Sequence, residues 1–108
     1  KSSGLTTNDT ANGTTLTLNS WSNITIILDR ITNLVSRYLN ASPTGTNTSI
    51  SGLTSLSDNT TDVCISGRYA RNDQFWNGNI GSVQIYNRAL SASDVLQNYN
   101  AGKDTFGL

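Results

Sequence analysis

Short apolar segments of four to eight residues recur along the whole chain, each closed off by Gly, Asn, Ser or Thr, and this punctuation constrains the fold more than any other feature. Segments that short cannot bury a helix face, but they suit strands that pair with neighbours and turn back. Composition agrees. Only 35% of the residues are hydrophobic and 13% charged, and the remainder is largely Thr, Asn and Ser. Such side chains occupy turns and exposed strand faces, where their oxygens bond the local backbone. Two Trp, four Tyr and two Phe set the chain apart from disordered sequences, which are poor in aromatics.

Residues 1–13 are polar, broken by Gly4 and Gly13, and read as a loop or extended arm, with one β-rich domain over 14–108. Thr14 to Leu18 is a short strand candidate. Residues 21–39 carry two patterns. Ile24, Ile27, Leu28, Ile31, Leu34, Val35 and Tyr38 recur at helical spacing, while Ile24–Ile27 is a β-branched run and Ile24, Ile26 and Leu28 alternate at the strand period. The β-branched run favours two strands, about 22–29 and 34–40, with a turn near Arg30 to Asn33. Residues 41–49 read as a loop. Further short strands are expected at 50–56, 63–66 and 79–86, the last with a bulge at Gly81.

One helix is clear, near 91–100. Ser91 is a good N-cap, Asp94 stands where a capping box places its acid, and Leu90 can staple against Val95. Val95, Leu96 and Tyr99 share a face, and Gly102 suits the stop. So short a helix must dock on the sheet. Trp21 is expected to cap the core, Tyr86 and Tyr99 to serve the core or the helix docking, and Phe106 and Leu108 to fold back onto the body.

The sequence contains no His and no Glu, which removes His triads, His-ligated metals and paired-Glu glycosidase chemistry. We therefore expect no enzyme. Net charge is zero, so no nucleic-acid footprint is visible, and no run approaches the roughly 20 apolar residues of a membrane span. Cys64 is alone between Val63 and Ile65 and reads as a small buried hydrophobe.

Two stretches carry a family resemblance. W-S-N-I-T-I-I-L-D from Trp21 to Asp29, followed by R-Y-L-N-A from Arg37 to Ala41, is one. I-S-G-R at 65–68 with F-W-N-G-N-I-G-S-V-Q-I-Y-N-R-A-L-S-A-S-D-V from Phe75 to Val95 is the other. They resemble the laminin-G-like, concanavalin A-like family, across about residues 21–100. Ala41 stands where the family usually has Gly, and Gly81 where it often has Asp, so no role of that acid carries over. The resemblance implies an all-β, antiparallel β-sandwich of the jelly-roll type with the short C-terminal helix. The family sandwich has more strands than are countable here. The chain is therefore expected to be its incomplete C-terminal part, completed by residues upstream of Lys1 or by another chain. Residues 85–108 also resemble the C-termini of phage and algal-virus surface proteins of this fold.

The expected binding surface is the loop holding Arg68, Tyr69, Arg71, Asn72, Asp73 and Trp76, whose rings can stack on sugars or partner side chains and whose polar groups supply directional hydrogen bonds. Phe75 and Trp76 equally suit a strand start, with one of them in the core. Laminin-G-like domains sometimes bind calcium. Asp58, Asn59 and Asp62 form the densest oxygen cluster, but it lacks a calcium-loop spacing and reads equally well as an Asx turn, so no cofactor is expected. The sequence reading is a non-catalytic binding or assembly module of a virion surface or another extracellular setting. Its expected partners are other structural subunits, in homo- or hetero-oligomers, and host glycans, with no nucleic acid and no membrane insertion. The alternative is a carbohydrate-binding module of a secreted or cell-surface protein.

Overall fold

A computed structural model describes residues 16–55, 64–66 and 76–108. Its organising element is an antiparallel hairpin of β1 (Ile24–Asp29) and β2 (Leu34–Leu39), in unbroken register from Ile24 opposite Leu39 to Asp29 opposite Leu34. The ambiguity over 21–39 thus resolves to two strands. Local chemistry explains why no helix runs through. The Asp29 carboxylate accepts the N–H groups of Ile31 at 2.8 Å and Thr32 at 3.4 Å, an Asx turn that reverses the chain. Those bonds, that from Ile31 foremost, also hold the Asp29 carboxyl below its ordinary pKa. Asn33 then takes a left-handed φ of 54°, which Asn tolerates better than most residues.

β2 is the centre of a four-stranded sheet. Beyond β1, its other edge takes β3 (Ser42–Pro43) at Tyr38–Leu39 and β4 (Thr48–Ser49) at Leu34–Val35. The segment expected as loop at 41–49 therefore contributes two short strands. Between them the backbone leaves the sheet, and Arg37 holds the excursion. Its backbone oxygen accepts Thr44 N–H at 2.9 Å, and its guanidinium donates to Thr46 O at 2.9 Å and Thr48 Oγ1 at 3.1 Å. Arg37 is buried, and these bonds give its charge-bearing nitrogens acceptors inside the fold.

β2 and β3 are joined by two residues, Asn40 and Ala41, at φ 49° and 63°. Positive φ at both positions is what a type I′ hairpin turn requires. The Asn40 side chain accepts Asn23 N–H at 2.8 Å, and Asn40 N–H donates to Asn23 O at 2.8 Å, tying the turn to the start of β1. The turn keeps its form despite the alanine, at the cost of a Cβ in the left-handed region. Ala41→Gly is therefore expected to stabilise the protein by about 1 kcal/mol, read as a higher urea midpoint at unchanged slope.

Alternation along the paired strands puts Ile24, Ile26 and Leu28 on one face with Leu39, Arg37 and Val35. On that face Val35, Ile50 and Leu53 form a buried cluster against which Leu28 packs. The turn after β4 delivers Ile50 and Leu53. Ile50 N–H bonds Asn33 O, Leu53 N–H bonds Ile50 O, and the Arg30 guanidinium donates to Leu53 O at 2.6 Å. Ile27, on the opposite face, is also buried.

The other expected strands are corrected. Residues 16–18 and 50–55 form no strand, Ile65 and Ser66 lie in a bend, and 79–86 carry no strand pairing among the described residues. Strand propensity needs a ladder partner, and the ladders of the described residues all involve β2. Positions 14, 15, 56 and 63 of these segments lie outside the described residues.

The helix α1 (Ala92–Gly102) is as expected. Asp94 N–H bonds Ser91 Oγ at 3.1 Å, and Ser91 N–H bonds the Asp94 carboxylate at 3.0 Å, completing the capping box. Arg88 adds a 2.8 Å ion pair to the same carboxylate oxygen. Val95 is buried, Leu90 and Tyr99 half-buried, and Leu96 exposed. Gly102 is the last residue of α1, as expected, but it keeps right-handed backbone and does not turn the chain away. A 3-10 turn, Lys103–Phe106, continues the helix, and Gly107 stops it at φ 68°.

The Arg88 hydrogen bond, then the Ser91 N–H, pull the Asp94 pKa from 3.8 down to about 2. A folded-state value below the unfolded one means the stabilisation is complete above pH 3.8 and is lost as the pH falls through about 2. The thermal midpoint of the wild type should therefore fall across that window relative to Asp94→Asn. A constant difference between the two proteins over the window would contradict the assignment.

Candidate functional site

The expected binding loop is anchored where its two ends meet. Trp76 N–H donates to Ser66 O at 2.9 Å, closing the base across residues 67–75. Ser66 makes this approach with a left-handed φ of 73°. Arg68, Tyr69, Arg71, Asn72 and Asp73 lie outside the described residues, as do Phe75, Asp58, Asn59 and Asp62. Of the expected site, Trp76 is placed, and it is half exposed at 50%. Its indole lies over Gly78, with Nε1 2.9 Å from where a Cβ on that residue would sit. Asn77 and Gly78 are both exposed. At the loop's entry Cys64 is exposed, not buried as its apolar neighbours suggested, and Ile65 beside it is exposed too.

A second feature was not singled out in the sequence. The face that buries Val35 and half-buries Leu28 continues along β1 into Ile26 and Ile24, which are exposed at 66% and 49%. Ile80, Val83, Ile85 and Tyr86 are exposed on the segment that has no strand partner among the described residues. The period-2 pattern of 79–86 was the available signal, because a segment with strand character and no ladder is a pairing surface.

The third feature fixes the C-terminal segment to the rest. Phe106 packs on Trp21 with ring centroids 4.9 Å apart and planes inclined by 55°. A Cβ added at Gly81 would collide with the Phe106 ring and come within 3.3 Å of Trp21. Gly81 thus marks a close approach of ring to backbone, and no strand bulge. Tyr86 anchors α1 through its hydroxyl, which accepts from Asn98 Nδ2 at 3.1 Å and donates to Gln84 Oε1 at 3.1 Å. It serves helix docking and not the core.

Among the described residues, no three His, Cys, Asp or Glu side chains gather closely enough to hold a metal ion, and no helix is long and apolar enough to cross a membrane.

The family model described as the concanavalin A-like lectin/glucanases superfamily, of laminin-G type, matches residues 1–96. The chain belongs to this superfamily. The antiparallel sheet, the short helix and the match together place this laminin-G-type chain in the all-β, concanavalin A-like class. Among solved structures, the chain is similar to the 2.1 Å crystal structure of an S-layer domain-containing protein, residues 221–444, from Clostridium thermocellum ATCC 27405. The identity is 20%, the TM-score 0.66, and the likeness covers 82% of this chain. It covers 43% of the other, so the laminin-G-type chain spans less than half of that structure. At that identity the likeness bears on the fold. No curated protein matches the sequence significantly.

Proposed function

We propose that this laminin-G-type chain is a non-catalytic assembly module on an exterior surface. In this reading it is a structural component of a virion or phage particle, as fibre, tail or capsid decoration, that contacts neighbouring subunits. The observation that carries the reading is the row of β1 side chains that runs from the half-buried Leu28, packed beside the buried Val35, into the exposed Ile26 and Ile24. Apolar sheet surface left in water is an association surface, and a neighbouring subunit would cover it. The resemblance of residues 85–108 to the C-termini of phage and algal-virus surface proteins supports the particle setting. The name of the similar structure, an S-layer domain-containing protein, supports an exterior one. The absence of His and Glu from the sequence supports a non-catalytic role. A net charge of zero argues against nucleic acid as a partner.

Sedimentation analysis of the wild type and of Ile26→Lys tests the proposal. The wild type is expected to form defined oligomers at micromolar concentration, and the exposed substitution to shift them to monomer with the thermal midpoint unchanged. A wild type that stays monomeric throughout, or oligomers indifferent to Ile26→Lys, would sink it.

The exposed indole of Trp76 favours a second reading, carbohydrate binding through ring stacking at the 67–75 loop. In that case the monomer would be retained on a glycan array, and Trp76→Ala would release it.

A further inference from the structure

We infer that Asn77–Gly78 is a site of spontaneous covalent modification, at which the asparagine converts to an aspartyl or isoaspartyl residue through a cyclic imide. The reaction needs three local conditions. The backbone nitrogen after the asparagine must be able to reach the carboxamide carbon, both groups must be free of competing hydrogen bonds, and water must have access.

Asn77–Gly78 meets all three. Gly78 has no Cβ, so nothing on that residue shields its nitrogen from the Asn77 carboxamide. Both residues are exposed and lie outside regular secondary structure. Among the described residues neither the Asn77 carboxamide nor the Gly78 N–H has a hydrogen-bond partner, whereas the preceding Trp76 N–H is engaged with Ser66 O. The fold therefore pins the backbone one residue before the reactive pair and lays the Trp76 indole over Gly78, while both residues of the pair stay exposed and outside regular structure.

The chemistry balances without a cofactor. The Gly78 amide loses its proton to hydroxide, and the nitrogen attacks Cγ of Asn77. A new bond forms between that nitrogen and Cγ, the bond from Cγ to Nδ2 breaks, and ammonia leaves with a proton from solvent. Water then adds to either carbonyl of the imide and opens the ring, giving the normal or the β-linked acid. Each conversion adds one negative charge beside Trp76 to a protein whose formal net charge is zero. The isoelectric point, about 6.2 by sequence, therefore falls. The β-linked product also inserts an extra backbone carbon where the loop base is closed.

The test is to incubate the native protein at mildly alkaline pH and follow the peptide containing position 77 by mass spectrometry, with the same sequence as a free peptide alongside. The folded protein is expected to gain about 1 Da at that peptide. Its rate should lie within about an order of magnitude of the free peptide's, because no opening of the fold is required first. A more acidic band should appear on isoelectric focusing, and Asn77→Gln should abolish the mass gain at that peptide and weaken the acidic band. A folded-state rate slower than the free peptide's by more than about a hundredfold would overturn the inference, since it would mean that the fold protects the pair. A mass gain confined to the other Asn–Gly pair, Asn12–Gly13, would overturn it as well.

Discussion

Replacing Gly81 by alanine is expected to destabilise the protein by about 1–3 kcal/mol, the range for forcing an extra carbon into packed surroundings. The Cβ would collide with the Phe106 ring, which packs on Trp21, and would also come within 3.3 Å of Trp21. Relief requires Phe106 to move, and moving it loosens the 3-10 turn that carries it. Equilibrium urea unfolding of Gly81→Ala, Phe106→Ala and the double substitution measures this directly. Once the Phe106 ring is gone the collision is removed and the 3.3 Å approach to Trp21 remains, so Gly81→Ala should cost much less in the Phe106→Ala background than in the wild type. Strict additivity of the two losses would show that the ring and the glycine do not meet. The same argument predicts that aspartate, which the family often carries at this position, is harmful here as long as Phe106 remains.

Val95→Asp is expected to detach α1. The valine is 1% exposed, and burying such a side chain contributes about 1.5–3 kcal/mol. A carboxylate in its place would add a desolvation penalty of several kcal/mol unless the helix lifts away. The variant should therefore lose helical circular dichroism and show altered Trp21 fluorescence, because Phe106 leaves with the helix. Leu96→Asp is the control. Leu96, next in sequence, is half exposed, and the same substitution there should change stability by no more than about 1 kcal/mol. Equal damage at both positions would contradict the placement of the helix face.

The local chemistry of the two best-formed elements was legible in the sequence. The β-branched run of Ile24–Ile27 argued for extended backbone, and Asp29 to Asn33 supplied an Asx turn with a left-handed asparagine, so the hairpin followed from neighbours in sequence. Ser91 and Asp94 lie three residues apart, and the capping box formed between them as such a spacing allows. The short strands expected at 50–56 and 79–86 did not follow, because strand character is an offer that only a partner accepts. Ile85 and Val83 alternate as a strand would, yet nothing among the described residues pairs with them. The site was half legible. Trp76 stands exposed at the mouth of the predicted loop, but no pattern indicated that Trp76 N–H and Ser66 O would close its base across residues 67–75.

By itself, then, the sequence determined where the backbone turns, where it coils and which residues alternate, since those depend on bonds between groups a few residues apart. Tertiary structure alone decided which alternating segments became strands, that Arg37 would be buried with the loop it holds, and that Gly81 is glycine because a ring 25 positions away rests on it. Each of these depends on groups that meet only after the fold has closed on itself, and no local propensity encodes such a meeting.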